Sequence, residues 1–128
     1  MFIFEVRKMA NINDTLSTIM QIEGAMAVSI VDSNNGLMLG SQGKGIDLEY
    51  ASAGNTELYH AKLKIMKVLG IKENIDDFLI TLDTQYHFLI PVQHIEGVFI
   101  YAIFSKERST LALARRRVHD LANELSIS

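Results

Sequence analysis

The sequence predicts an α+β domain of three layers, in which a five-stranded sheet carries helices on both faces. Three helical and five extended segments follow one another in the order αββαβββα along the 128 residues. The segments VFIYAIF and FLITL contain almost no polar side chains, whereas a sheet with one face in water alternates polar and apolar residues. Both faces must therefore be covered, and we expect the long second helix on one face and the other two helices opposite.

The first helix and the first two strands are predicted from short local signals. Apolar residues at helical spacing predict a helix over residues 12–22, which Asn13 or Asp14 would cap. Two strands follow, over residues 25–31 and 37–40, and an Asn-Gly pair between them is a strong hairpin signal. We therefore expect these two strands to be antiparallel neighbours.

The second helix is predicted over residues 47–70 and carries two apolar stripes, where a surface helix usually carries one. Asp47 is placed to cap the first turn, and Gly70 to end the last. At 100° per residue the stripes lie roughly 140° apart, so one is expected to face the core and the other a partner. The predicted core stripe is Ala51, Gly54, Leu58, Ala61, Ile65 and Val68, and the predicted interface stripe is Ser52, Tyr59, Leu63 and Met66. The alternative for the second stripe is packing under a neighbouring loop.

The remaining chain predicts three strands and a last helix. The strands are expected over residues 77–82, 86–92 and 98–104, and the helix over residues 109–125. Pro91 cannot donate a backbone hydrogen bond, so we expect it near the end of its strand. An open sheet has two edges, and an apolar edge strand aggregates unless it is paired. A homodimer would cover the surplus helix stripe and an edge strand together.

Composition excludes several classes of protein. A net charge of −3, from 12 basic and 15 acidic residues, gives no basic footprint for nucleic acid. The absence of cysteine leaves no disulfide or thiolate chemistry, and no run approaches the ~20 apolar residues of a membrane span. We expect a cytoplasmic protein without a membrane partner. Its single domain is expected over residues 12–126, after an N-terminal extension over residues 1–11.

No catalytic, cofactor-binding or metal site is predicted. The loop GSQGKG, residues 40–45, resembles part of a phosphate-binding loop, but Gly45 stands where Ser or Thr should ligate magnesium. A plain turn is the expected structure. No serine lies in a nucleophile-elbow context, and the four histidines fall in separate elements without the spacing of metal ligands. These are His60, His87, His94 and His119.

Two charged clusters are interpreted as structural. Asp76 and Asp77 are adjacent, so a strand would point them to opposite faces, which suits gatekeepers of an apolar strand better than an acid pair. Three consecutive arginines, residues 115–117, fan around the last helix, where Arg116 is placed to pair with Asp120. A solvated face is expected there, and contact with an acidic partner is the alternative.

The order of the elements and several local strings resemble the roadblock / dynein light chain family. The stretch IEGAMAVSIVDSNNGL, residues 22–37, is similar to that family's passage from first helix to hairpin, including Gly24, Asp32 and Gly36. The resemblance continues through the helix at residues 55–69, the segment FLIPV with its proline, and TLALARRRVHDL at residues 110–121. It spans residues 12–125, nearly the whole chain.

The resemblance implies a profilin-like sandwich with strand order 2-1-5-4-3 and a homodimer formed through the long helix and the third strand. It also implies a non-enzymatic role as regulator or scaffold of a Ras-like small GTPase, without a cofactor. The alternatives are a small-ligand sensor or a light-chain-type adaptor. The expected dimer interface is Tyr59, Leu63, Met66, Phe78 and Ile80. The candidate contacts to the further partner are Lys62, Lys64 and Lys67, for which solvated helix charge is the alternative.

Overall fold

Residues 9–127, the part of the chain that this computed structural model describes, form three helices and one five-stranded sheet. The strands are antiparallel and lie in the order β2-β1-β5-β4-β3. The predicted fold class, element order and strand order are therefore confirmed. The elements are α1 Ile12–Met20, β1 Ala25–Asp32, β2 Leu37–Gly43, α2 Leu48–Val68, β3 Phe78–Thr81, β4 Gln85–Pro91, β5 Val98–Ser105 and α3 Leu111–Glu124.

Most of the predicted N-terminal extension lies outside the described residues. Its end is bound to the domain, because the Ala10 amide donates to the Glu124 carbonyl at 2.8 Å and the Ser126 amide donates to the Ala10 carbonyl at 2.8 Å. The boundary at residue 12 stays a prediction. No helix within residues 9–127 has the length and apolar character needed to cross a membrane.

Strand β5 lies at the centre of the sheet and is buried at every position from Val98 to Phe104. Alternate side chains of the central strands point to opposite faces and feed two apolar clusters. The larger cluster joins the sheet to α1 and α3, and includes Leu16, Phe88 and Val118. The smaller one lies beneath α2. The all-apolar strands thus have the two covered faces that their sequences predict.

Strand β2 is longer than predicted, because residues 40–43 continue the strand instead of forming a turn. Gly40 allows α1 to lie directly on it, since a Cβ atom there would be 2.8 Å from the Ile12 side chain and 2.9 Å from that of Leu16. The predicted turn at this position is therefore wrong. A bulge between Ile30 and Val31 adjusts the register of β1 with β2.

The helix ends test the capping residues predicted from the sequence. Asn11 caps α1 by accepting a bond from the Asp14 amide at 2.8 Å, so the predicted caps Asn13 and Asp14 are wrong by two or three residues. Asp47 caps α2 as predicted, accepting from the Tyr50 amide at 3.0 Å. Gly70 has a φ of +72° just after the helix, which is the left-handed conformation expected there. Strand β4 ends at the proline, as predicted.

Candidate interface on helix α2 and strand β3

The face of α2 that lies on the sheet is unusually polar for a buried surface. Leu48, Ser52, Thr56 and Met66 are its buried residues. The two hydroxyls are satisfied inside the helix, because the Ser52 Oγ donates to the Leu48 carbonyl at 2.6 Å and the Thr56 Oγ1 donates to the Ser52 carbonyl at 2.8 Å. Backbone acceptors one turn earlier thus allow small polar residues to lie against the sheet without an unpaired group.

Aromatic contacts fix the middle of α2 against the sheet. The Tyr59 ring lies edge-on to Phe99 and Phe78, with centroid distances of 5.9 and 6.3 Å. Burial raises the pKa of the Tyr59 hydroxyl. Such edge-to-face pairs stabilise by about 1 kcal/mol beyond the area they bury. Tyr59 and Phe78 therefore join α2 to strand β3 within the same molecule.

A polar pair, Tyr101 and His87, lies on the face of the sheet that α2 covers. The Tyr101 hydroxyl and His87 Nδ1 are 2.8 Å apart, and His87 Nε2 is 2.8 Å from the Gln85 Oε1. The neutral ring satisfies both contacts when Nε2 carries the proton and Nδ1 accepts from the tyrosine. Burial lowers the pKa of His87 and raises that of Tyr101, the latter opposed by a hydrogen bond with Asn55.

The two stripes of α2 exist as predicted, but the assignment of the first one to the core is wrong. Apart from Ala51, which packs against the smaller cluster, the predicted core stripe faces outward, with Leu58 38%, Ile65 50% and Val68 78% exposed. The predicted interface stripe contains the buried Ser52 and Met66. The core assignment is wrong because hydropathy favoured the more apolar stripe, whereas Ser52 of the other stripe is buried with its hydroxyl bonded to the helix backbone, as is the neighbouring Thr56. We call the exposed set the outer stripe: Gly54, Leu58, Ala61, Ile65 and Val68.

The flank of α2 that faces the β1–β2 hairpin includes Glu49 and Ala53, and the outer stripe lies outside this flank. Strand β3 is an edge of the sheet and pairs only with β4 among the described residues. Leu79 and Ile80 on that edge are 37% and 44% exposed. The molecule therefore exposes both an apolar stripe on α2 and an apolar free edge on β3.

The residues predicted for the interface divide between two environments. Leu63 and Ile80 are exposed, at 38% and 44%. Tyr59, Met66 and Phe78 are turned toward their own molecule, and Met66 lines a recess with the loop after α2, in agreement with the alternative of packing under a neighbouring loop. The assignment of these five residues to a dimer interface stays a prediction. The three lysines named as partner contacts, Lys62, Lys64 and Lys67, are all exposed on α2.

Asp77, just before β3, is bound to helix α3 by a cluster that sequence reasoning missed. Arg115 donates from Nε to Asp77 Oδ2 at 2.6 Å and from Nη2 to Oδ1 at 3.0 Å, and His119 Nε2 lies 2.6 Å from Oδ2. The Asp77 side chain is 6% exposed, whereas that of Asp76 is 80% exposed. Burial alone would raise the pKa of Asp77, but the hydrogen bonds and charges of Arg115 and His119 hold it below its ordinary value.

This cluster corrects the interpretation of the last helix. Arg115 is not simply part of a solvated face, and Arg116 forms no ion pair with Asp120 in the part of the chain described. The partners are separated by 38 and 42 residues, so no local pattern indicates them. Oxygen and nitrogen atoms of Asp76, Asp77 and His119 lie within 4.8 Å of one another, but a guanidinium bound to both carboxylates repels a cation.

The sandwich with a long helix on one face, two helices on the other and strand order 2-1-5-4-3 is the Roadblock/LC7 fold. In particular, the structure resembles three solved proteins. The first is a Roadblock/LC7 domain from Streptomyces avermitilis, with a TM-score of 0.75 and 15% identity over 88% of this chain and 92% of that chain. The second is MglB of Myxococcus xanthus, with a TM-score of 0.77 and 20% identity over 88% of this chain and 89% of that chain. The third is the gliding protein MglB of Thermus thermophilus, with a TM-score of 0.71 and 16% identity over 86% of this chain and 84% of that chain.

At these identities the likeness is one of fold, and it confirms the fold that the roadblock resemblance implies. No family model matches the sequence, and no match was found among curated proteins.

Proposed function

We propose that this protein is a cytoplasmic homodimer that acts, without catalysis of its own, as a regulator or scaffold of a Ras-like small GTPase. The observation that carries the proposal is that the outer stripe of α2 and the free edge of β3 are both apolar and exposed. Exposed apolar patches rimmed by polar residues mark protein interfaces, and an apolar edge strand in water favours pairing. A second copy covers both surfaces through one two-fold axis.

Shape and charge support an antiparallel pairing of two α2 helices. Gly54 and Ala61 are small, so two helix backbones can approach closely along the outer stripe. Acidic residues Glu49 and Glu57 lie in the first half of α2, and the three lysines lie in the second half. In an antiparallel pair, the acidic half of each helix lies near the basic half of the other, which favours this register over a parallel one.

The GTPase partner is supported by the fold and by the roadblock resemblance. Two α2 helices side by side form a surface that neither copy has alone. A partner that binds this surface better in one arrangement of its switch loops is shifted toward that arrangement by the difference in affinity. The chain needs no phosphate-binding loop of its own for this mechanism, and Lys62, Lys64 and Lys67 are placed to attract an acidic partner surface.

Substitutions in the outer stripe test the dimer. We expect Ile65→Glu with Val68→Glu to convert the dimer to a monomer at micromolar concentration, because a second copy would have to bury the introduced carboxylates. Both positions are exposed in the single chain, so the circular dichroism spectrum should stay unchanged. Leu113→Glu on α3, where the side chain is 57% exposed, is the matched control and should remain dimeric. A monomer mass for the unaltered protein in sedimentation velocity refutes the dimer.

Affinity capture tests the GTPase partner separately. The tagged full chain is incubated with native lysate containing a GTP analogue or GDP, and bound proteins are identified by mass spectrometry. We expect a small GTPase that is retained by the unaltered protein and lost with the Ile65→Glu, Val68→Glu variant. A dimer that retains no small GTPase in either nucleotide state contradicts the GTPase role and leaves the dimer standing.

A further inference from the structure

A groove of about 760 Å³ runs between the β1–β2 hairpin and helix α2. Its walls are formed by the hairpin turn, the start of β2 and the flank of α2 that points away from the outer stripe. Its lining residues are Ser33, Asn34, Asn35, Gly36, Leu37, Met38, Glu49, Ala53, Thr56, Glu57 and His60. On the helix, the centres of this flank and of the outer stripe are about 120° apart, with Glu57 at the border between them, so a partner can cover the outer stripe without filling the groove.

The groove lies beside the second edge of the sheet. Strand β2 pairs only with β1 among residues 9–127, so one side of its backbone has no strand partner there. Leu37 and Leu39 on this edge are 62% and 39% exposed. A free edge offers alternating N–H and C=O groups to an extended peptide, which gains backbone hydrogen bonds by adding a strand.

The charges of the groove define what such a peptide must carry. The acidic side chains in the lining are Glu49 and Glu57, and neither forms an ion pair within the described part of the chain. No lysine or arginine of residues 9–127 lines the groove. The lining therefore attracts Lys and Arg side chains and disfavours Asp and Glu.

Helix geometry fixes the spacing of the two carboxylates. Eight residues separate them, which corresponds to about 12 Å along a helix that rises 1.5 Å per residue. In an extended strand, residues i and i+4 point to the same face and are separated by about 13 Å. Two basic residues four positions apart therefore match Glu49 and Glu57.

We propose that this groove binds an extended segment of a partner protein, which adds to the free edge of β2 and places two basic side chains, four residues apart, on Glu49 and Glu57. This site is additional to the α2 and β3 surface of the proposed dimer, and it requires neither the dimer nor a GTPase. The segment is recognised by its backbone and its two cations.

Fluorescence anisotropy with defined peptides tests the site in the full chain. The probe is labelled Gly-Thr-Lys-Val-Thr-Val-Lys-Thr-Gly, and the control probe has glutamate in place of both lysines. We expect saturable binding of the lysine peptide only. Each of Glu49→Gln and Glu57→Gln should weaken it about threefold, the effect of one exposed ion pair, and the double variant about tenfold. Glu107→Gln, an exposed glutamate outside the groove lining, is the matched control and should leave binding unchanged.

Two N-methylated probes test strand addition. Methyl groups on one alternate set of backbone nitrogens remove the donors that face β2, and those on the other set point to solvent. We expect one methylated peptide to lose binding and the other to retain it. Equal binding of both overturns strand addition. No saturable binding of the lysine peptide up to millimolar concentration, equal binding of the glutamate peptide, or an unchanged affinity in the double variant overturns the site.

Discussion

At the scale of single residues, Asp77 links two elements that are far apart in sequence. We expect Asp77→Asn to lower the free energy of unfolding by on the order of 2 kcal/mol, because hydrogen bonds to a charged group with little solvent contact are lost. Asp76→Asn is the matched control. Its side chain is 80% exposed, and the change should stay within about 0.5 kcal/mol. Urea unfolding of both variants at pH 7 measures the difference.

The stability difference between the unaltered protein and the Asp77→Asn variant is expected to depend on pH. The pKa of Asp77 is lowered in the folded protein, so its carboxylate contributes stability above the pKa of about 3.9 of an unfolded aspartate. As the pH falls through that value toward the lower folded pKa, the unfolded chain binds a proton first and this contribution is lost. The stability gap between the unaltered protein and Asp77→Asn should therefore narrow at pH 3. An equal gap at pH 7 and pH 3 contradicts the role of the charge.

His87 makes the stability of the protein depend on pH between pH 7 and pH 5.5. Burial lowers the pKa of His87, so the unfolded chain takes up a proton near pH 6.5 while the folded chain still holds the ring neutral. Stability from this group is complete above about pH 6.5 and declines as the pH falls below it. We expect the unaltered protein to lose stability between pH 7 and pH 5.5, and His87→Gln to show a smaller loss. Urea midpoints at both pH values provide the test, and equal losses refute it.

At the scale of elements, α2 shows what periodicity can and cannot predict. The 100° repeat identifies both stripes, and Asp47 and Gly70 mark the ends of the helix within two residues. Which stripe is buried depends on what lies beneath, and the sequence does not show that the Ser52 and Thr56 hydroxyls bond to the helix's own carbonyls. The more apolar stripe is the exposed one, which is the reverse of the usual pattern in a surface helix of a monomeric protein.

The two edge strands provide a prediction at the same scale. In the proposed dimer, β3 lies in the interface and β2 does not. We expect Ile80→Lys to weaken dimerisation by about tenfold or more, because two copies would bring like charges together across the two-fold axis. Leu39→Lys on β2 introduces the same charge at a residue that is 39% exposed, and it should leave the dimer intact. Equal effects of the two substitutions in sedimentation equilibrium contradict the assignment of β3.

At the scale of the whole molecule, the layered fold is predictable and the long-range polar cluster is not. All-apolar strands require two covered faces, and an Asn-Gly hairpin with a strand-ending proline limits the topology. Arg115 and His119 meet Asp77 only because the sheet and α3 bring distant residues together. Gly40 is a similar case, because only a residue without a side chain fits where α1 lies on β2.

Thermal unfolding tests the assembled state as a whole. A dimer that dissociates on unfolding gains stability with concentration by mass action. We therefore expect the unfolding midpoint of the unaltered protein to rise when its concentration is raised a hundredfold, and that of the Ile65→Glu, Val68→Glu variant to stay constant. Differential scanning calorimetry measures both. A midpoint independent of concentration in the unaltered protein contradicts a dimer linked to folding.

The bond between Asp77 and α3 has a consequence for the order in which the chain is made. Synthesis proceeds from the N-terminus, and the residues that hold Asp77 come 38 and 42 positions after it. Strand β3 therefore emerges from the ribosome well before its anchor exists. During that interval its apolar edge is not fixed to α3. Completion of the last helix is thus the step that fixes the edge of the sheet in a newly synthesised chain.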